Sequence, residues 1–323
     1  MWLKRQLERS ALSLLSGGGH RAPAILIYHR VLPAPDPLFP TEVHRAQFDR
    51  QLGWLKSRFN VLPLLDAVRL AAEGRLPARS ACITFDDGYA DNSEVALPVL
   101  QQHGLHATFF IATGFLDGGR MWNDTVIESV RRAPGGAFDA TSLGLGRHAT
   151  GNWDERRSAI GALIGQLKYQ PMAQRLEEVG KLARLSGVDL PQDLMMTSAQ
   201  LRKLHAAGMG IGGHTVNHPI LARLPAAEAR QEIAQGKAAL EAALDAPVRT
   251  FAYPNGKPGQ DYLPEHVAMV RELGFDAAVS TAWGASRGAA DWYQLPRFTP
   301  WDQGMAKWGL RLARNMLQPA ARV

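Results

Sequence analysis

Cysteine is almost absent from the 323 residues: Cys82 stands alone, so no disulfide can form within the chain. That excludes the disulfide-stapled secreted scaffolds and fits a reducing compartment. Long apolar runs are missing too, and none approaches the ~20 residues that a membrane-spanning helix needs. The opening "MWLKRQLERSALSLLSGGG" lacks the apolar core of a secretory signal, because Glu8 and Arg9 interrupt it. These absences predict a cytoplasmic or peripherally membrane-associated protein. Acids are missing from residues 303–323, where Lys307, Arg311, Arg314 and Arg322 give a charge of +4. Lys4, Arg5 and Arg9 against Glu8 give residues 1–15 a charge of +2, so the two ends carry the whole net charge of +6. A neutral body offers no basic stripe, and no nucleic-acid partner is expected.

Both basic ends are amphipathic. Trp2, Leu3, Leu7, Leu12 and Leu15 share much of one helical face, as do Met305, Trp308, Leu312 and Met316. Such ends suit peripheral contact with an anionic membrane. They equally suit docking on their own domain with the basic face in water. The chain divides into a basic N-terminal segment 1–19, a body 20–302 and a basic C-terminal helix 303–323.

Within the body, short apolar runs alternate with helical patterns, which predicts an α/β fold built on a parallel sheet. Strands are expected over 24–28, 81–85, 107–112, 209–213, 250–253, 277–280 and 292–298. Helices are expected over 45–59, 64–73, 91–103, 226–244 and 264–273. Residues 116–200 break the rhythm. They hold helical patterns over 122–132, 154–167 and 173–186 and no convincing strand, which reads as a helical insertion. In parallel folds, chemistry gathers where strands end.

Three strand ends stand out. "ACITFDDGYAD" (81–91) finishes on adjacent carboxylates, Asp86 and Asp87, which repel unless a cation or proton is shared. Asp-Asp-Gly is also a common turn. "GMGIGGHTVNHPIL" (208–221) ends on His214, with His218 four residues on, a metal-ligand spacing on one helical face. Asp87, His214 and His218 together form a His₂-carboxylate set that leaves a position open for water, as a catalytic zinc requires. Asp86 is then free to act as general base. "RTFAYPNGKPG" (249–259) reads as a strand and tight turn whose backbone N–H near Asn255, beside Tyr253, can face a developing oxyanion.

"TFDDG", "HTVNH" and "FAYPNG", in this order, resemble the polysaccharide deacetylase family, the NodB-homology domain of carbohydrate esterase family 4. The resemblance covers about residues 22–300 apart from the insertion. It implies a distorted (β/α) barrel and metal-dependent removal of N-acetyl groups from an N-acetylated glycan. By position, Asp86 resembles the family's base, and Asp87, His214 and His218 resemble its ligands for one divalent ion, zinc or another first-row metal.

Two departures follow. The family's third motif reads Arg-x-Pro-Tyr-Gly, but Ala252 stands at the arginine and Asn255 at the tyrosine. Arg297 in "QLPRFTPW" is the expected replacement cation for Asp86. The family's late leucine-x-histidine, source of the acid for the leaving amine, is also missing, since no histidine follows His266. The N-terminal "ILIYHRV" resembles the start of the biofilm-type poly-N-acetylglucosamine deacetylases, in which a strand-end histidine fills that role. His29 is therefore the expected general acid, its pKa class suiting the task. Trp122 and Asp124 in "MWNDT" are candidates to line the sugar groove, Trp122 as a stacking face, and equally to pack within the insertion. Two other functions stay open: a deacetylase or deformylase of a lipid-linked sugar at the membrane surface, and a catalytically silent glycan-binding protein.

Overall fold

The computed structural model describes Gln6, Ser10, Leu12, Ser13, residues 22–286 and residues 290–323. Its elements run β1 (Ala24–Tyr28), α1 (Arg45–Arg58), β2 (Asn60–Val61), α2 (Leu64–Ala72) and β3 (Ser80–Phe85). A wide helical turn (Asn92–Ala96) leads into α3 (Leu97–His103), followed by β4 (Thr108–Ile111) and α4 (Trp122–Arg132). Next come β5 (Ala137–Ala140), β6 (Gly146–Ala149), α5 (Trp153–Leu167), α6 (Met172–Ser186) and α7 (Ser198–Ala206). The chain continues through β7 (Gly210–Gly213), α8 (Ala226–Leu244), β8 (Thr250–Ala252), α9 (Pro264–Glu272), β9 (Ala277–Val279) and α10 (Met305–Leu317).

The main sheet is parallel, in the order β1-β3-β4-β7-β8-β9, with β2 on β3. β3 is buried along its whole length, as a strand covered on both faces must be. Tyr28, Phe48, Phe85 and Phe109 form a stacked and edge-on aromatic run inside the curled sheet. Residues 292–298, expected as a strand, instead form two isolated bridges, Leu295 to Val279 and Phe298 to Leu26. Pro296 lacks an N–H, so a continuous ladder is denied there. The two bridges nonetheless join β9 to β1 and close the sheet into a distorted (β/α) barrel.

The insertion is not wholly helical. β5 and β6 form an antiparallel hairpin, Ala137 opposite Ala149 and Ala140 opposite Gly146. Its sequences, "AFDA" and "GRHA", are poor in β-branched residues, so propensity hides them. The hairpin and α4–α6 share a separate apolar core that includes Val126, Val130, Phe138, Leu163 and Leu182.

At both ends the buried apolar residues follow the docking alternative. Leu12 is buried in the main core, while Trp2, Leu3, Leu7 and Leu15 lie outside the described residues. In α10 the stripe of Trp308, Leu312 and Met316 is buried against the barrel, with Trp308 edge-on to Trp54 at 4.7 Å. Burial of that stripe removes it from any membrane contact.

Candidate active site

Parallel register gathers the strand ends. Tyr28 pairs with Phe85, so His29 and Asp86 leave the sheet as neighbours, and Asp86 N donates to Tyr28 O at 2.9 Å. Ile111 pairs with Gly213, and Gly213 with Phe251, which places His214 and the 253–256 turn on the same rim. Asp87, His214 and His218 meet there, with one ligand atom from each inside 4.8 Å of the others.

Strain accompanies this meeting. Asp87 has φ +76°, a left-handed conformation that costs a residue with a Cβ about 1–2 kcal/mol. His214 and His218 do not share a helical face, contrary to the spacing argument. Their segment is a loop in which Thr215 and His218 have φ of +66° and +51°. Glu232 of α8 holds it by accepting hydrogen bonds from Val216 N, Asn217 N and Asn217 Nδ2 at 2.7–3.0 Å. Gly236, one turn along α8, lets the helix lie on this loop, because a Cβ there would meet the Thr215 backbone at 2.8 Å. The loop brings the two imidazoles to 4.7 Å, centroid to centroid.

The donor set fits a cation. His214 Nδ1 lies 2.7 Å from Ala252 O, so it carries the proton and leaves the Nε2 lone pair free. Burial pushes His218 down to about 4, which keeps its ring neutral near pH 7. Both Nε2 atoms lie 3.4 Å from Asp87 Oδ1, yet that buried oxygen has no hydrogen-bond partner. Lone pairs converging without a donor favour a positive ion between them.

Asp86 is held differently. Arg297 Nη1 and Nη2 donate to its two oxygens at 2.6 and 2.7 Å, a bidentate clamp. Arg297 Nε donates to Ser280 O at 2.9 Å, and Nη1 reaches Thr84 Oγ1 at 3.2 Å. Burial would raise the Asp86 pKa, but the guanidinium outweighs it and holds the group below its ordinary value. The closing segment 292–298 thus supplies a cation where Ala252 has none.

Two cavities, of about 200 and 230 Å³, open around the cluster. Asp87 and Asn123 line both. His29 lines the larger one with Arg30, Tyr89 and Asp124. Trp122, His218 and Asn255 line the smaller one with Lys168 and Arg175. Asn255 has φ +59° in its turn. Tyr253 does not reach either cavity. Its ring is fully buried, stacked on Tyr262 at 3.9 Å, and its hydroxyl donates to Tyr293 O. The apolar face of β8 is filled by core, which turns Tyr253 inward and leaves the turn residue outside.

Arg30 and Asp124, both singled out in the sequence, stand at the rim with partners that the sequence did not reveal. Arg30 donates to Asp91 at 2.8 Å and lies over the Tyr89 ring at 4.7 Å. Tyr89 OH bonds Asp124, whose carboxyl burial pushes up to about 7. "YADN" just past the carboxylate pair was the available signal for Asp91. Nothing in the linear sequence connected Lys168 or Arg175 to the strand ends.

Comparison with known proteins gives the chain its family. The profile of the polysaccharide deacetylase family matches residues 73–278, and the chain belongs to that family, hydrolases of carbon–nitrogen bonds. YxkH of Bacillus subtilis, which bears the family's name, is 21% identical over 275 residues, covering 84% of this chain and 69% of that protein. The poly-beta-1,6-N-acetyl-D-glucosamine N-deacetylase of Staphylococcus aureus is 38% identical over 73 residues, 22% of this chain and 25% of that protein. The structure of IcaB from Ammonifex degensii superposes with a TM-score of 0.57 at 21% identity, covering 90% of this chain and 97% of that one. That likeness establishes a shared fold.

Proposed function

We propose that the chain is a metal-dependent carbohydrate N-deacetylase that removes acetyl groups from amino sugars of a glycan. The observation that carries this reading is one buried pair of neighbouring carboxylates with divided tasks. Asp86 is clamped by Arg297, and Asp87 stands with His214 and His218 around a donor-less centre. Asp87, His214 and His218 would hold one divalent cation, zinc by its preference for such a set. When bound, that ion supplies a Lewis acid for the acetamide and its attacking water.

The chain's own residues do the rest. Asp86, kept ionised by Arg297, accepts the proton of the attacking water. The turn at Asn255 lines the smaller cavity with Asp87 and His218, and its backbone N–H serves the oxygen on which charge develops. His29, at the end of β1 and lining the cavity that Asp87 also lines, gives a proton to the departing amine. Trp122 offers a ring to the sugar. The products are acetate and a free amino sugar. The test is acetate release from N-acetylglucosamine oligomers by zinc-loaded and chelator-treated protein. Release that needs the metal is expected; oligomer binding without hydrolysis, indifferent to chelator, would point to a glycan-binding protein.

A second reading, action on a lipid-linked sugar, is favoured by the outer face of α10. No described helix is long and apolar enough to cross a membrane. Leu310 and Leu317 are nevertheless 72% and 50% exposed, and Lys307 and Arg314 share their face; Trp301, 55% exposed, lies under Arg311 of the same helix. This face, rather than the buried stripe, would meet an anionic membrane. Leu310→Ser should lower partition to phosphatidylglycerol vesicles; unchanged partition would remove this reading.

A further inference from the structure

The smaller cavity carries a charge that the deacetylase reading does not use. Lys168 follows α5, and Arg175 lies in the first turns of α6; both line the wall that also contains His218 and Trp122. Lys168 and Arg175 also line a second cavity, with Tyr169, Met172 and Arg223. Asp87 is the single carboxylate lining the first, and the second has none. Lys168, Arg175 and Arg223 form no ion pair with a carboxylate among the described residues.

Arg175 is the telling group. It is only 5% exposed. Its Nη1 donates to Lys168 O at 2.9 Å, and its guanidinium lies 4.8 Å from the Trp122 ring centre. Its Nε has no hydrogen-bond partner. Burial pulls its pKa down with no acid to offset the loss. A buried cation without a counter-ion is expensive and persists where something else supplies the charge. The start of α6 adds to the field. Its N-cap is Pro171, no side chain caps it, and Pro171 and Met172 line the second cavity. Free N–H groups and the positive end of a fifteen-residue helix favour an anion at that place.

We infer that Lys168, Arg175 and the N-terminus of α6 form a phosphate subsite, so that the favoured substrate is an N-acylated amino sugar bearing a phosphate group. The inference deepens the deacetylase reading and rests on it only for the word substrate. A planar guanidinium beside a lysine and a helix N-terminus suits the several oxygens of phosphate. Arg223, exposed and 5.8 Å from the Tyr169 ring, extends the cationic wall toward a second phosphate. The phosphate could arrive on a soluble sugar phosphate or on a polyprenyl-linked sugar, and the chemistry read by the site is the same.

The test is calorimetric titration of the full chain with sodium pyrophosphate, zinc-loaded and with chelator. Saturable binding that survives the chelator is expected, weakened about tenfold in Arg175→Gln and in Lys168→Gln, the loss of one charge-assisted bond. Lys168 is half-exposed, so its variant reports even where the buried one misfolds. Binding that vanishes with chelator and ignores both substitutions would place the anion on the metal and overturn the inference. In kinetics, N-acetylglucosamine 1-phosphate should exceed N-acetylglucosamine in kcat/KM by about tenfold, with that preference lost in Lys168→Gln. Equal rates for the two, or a preference for an N-acetylglucosamine–glucuronate disaccharide, would also overturn it. A further gain for the polyprenyl-linked form over the soluble one would identify the lipid as the source, and no gain would identify the free sugar phosphate. Pyrophosphate binding without any acetate release would uphold the subsite while removing the deacetylase reading.

Discussion

On one flank of the Asp87, His214 and His218 cluster each arginine has its own carboxylate; on the other the cations have none. Arg30 pairs with Asp91, and Arg131 with Asp36 and Glu128, all around the larger cavity. Lys168, Arg175 and Arg223 face the smaller cavity and the second one lined by Lys168 and Arg175, without such partners. The difference tracks the chain's architecture. The paired flank joins the loop after β1 to α4, and its Arg131–Asp36 pair ties insertion to barrel. The unpaired flank comes from the α5–α6 connection and from Arg223, and its charges meet no carboxylate among the described residues. Charge that is already neutralised builds a wall, whereas charge left over is available to a ligand.

The comparison assigns chemistry to the centre and support to the paired flank, and the largest expected effect tests that division. Asp86→Asn should lower turnover roughly 10²- to 10⁴-fold, the loss of a general base, with zinc content unchanged. Asp124→Asn, on the paired flank, should stay within a few-fold. Equal losses in both would move the base out of the centre. His29 sharpens the contrast, because it is the one group on the paired flank given a chemical step. His29→Ala should reduce turnover on the order of 10²-fold at constant metal content. Metal loss, measured by atomic absorption, would make it a ligand instead.

Asp124 also gives the paired flank a pH signature. Burial raises its carboxyl to about 7, so the folded state holds a proton that the unfolded chain releases at lower pH. Stability should fall as pH rises between the ordinary aspartate range and 7, by up to about 1.4 kcal/mol per unit. Asp124→Asn should flatten that slope in thermal melts of metal-free protein, and an unchanged slope would place the titration elsewhere. The smallest effect concerns the loop shared by both flanks. Gly236→Ala forces α8 away from the Thr215 backbone and should destabilise by about 1–3 kcal/mol. Its zinc affinity should fall as well, through the displaced His214–His218 loop; a melt and affinity equal to wild type would show that the loop follows the helix freely.

Much of the centre was legible because parallel strands announce themselves as apolar runs and deliver their next residues to one rim. "TFDDG" and "GGHTVNH" sit where β3 and β7 end, so the carboxylates and His214 could be found by reading outward from the strands. Arg297 could be nominated because Ala252 left a carboxylate in need of a cation, and Arg297 does meet Asp86. What stayed hidden depends on packing at long range. The i, i+4 spacing of His214 and His218 suggested a helix, but Glu232, fourteen residues past His218, holds a loop instead. The inward turn of Tyr253 follows from Tyr262 beneath it. The stripe on α10 read alike for membrane and barrel until Trp54 and Phe298 were seen against Trp308. Lys168 and Arg175 sit in the insertion, and no local pattern says which way its helices lean.

The bridges of residues 292–298 have a consequence for the order in which the protein comes into being. A chain made from its N-terminus has Asp87, His214 and His218 complete by residue 218. The counter-ion of Asp86 arrives almost eighty residues later, on the segment that seals β9 to β1. Until then Asp86 is a carboxylate without its clamp, more readily protonated and less fit to take a proton from water. Sealing the barrel and clamping Asp86 are therefore a single event, carried by the same short segment.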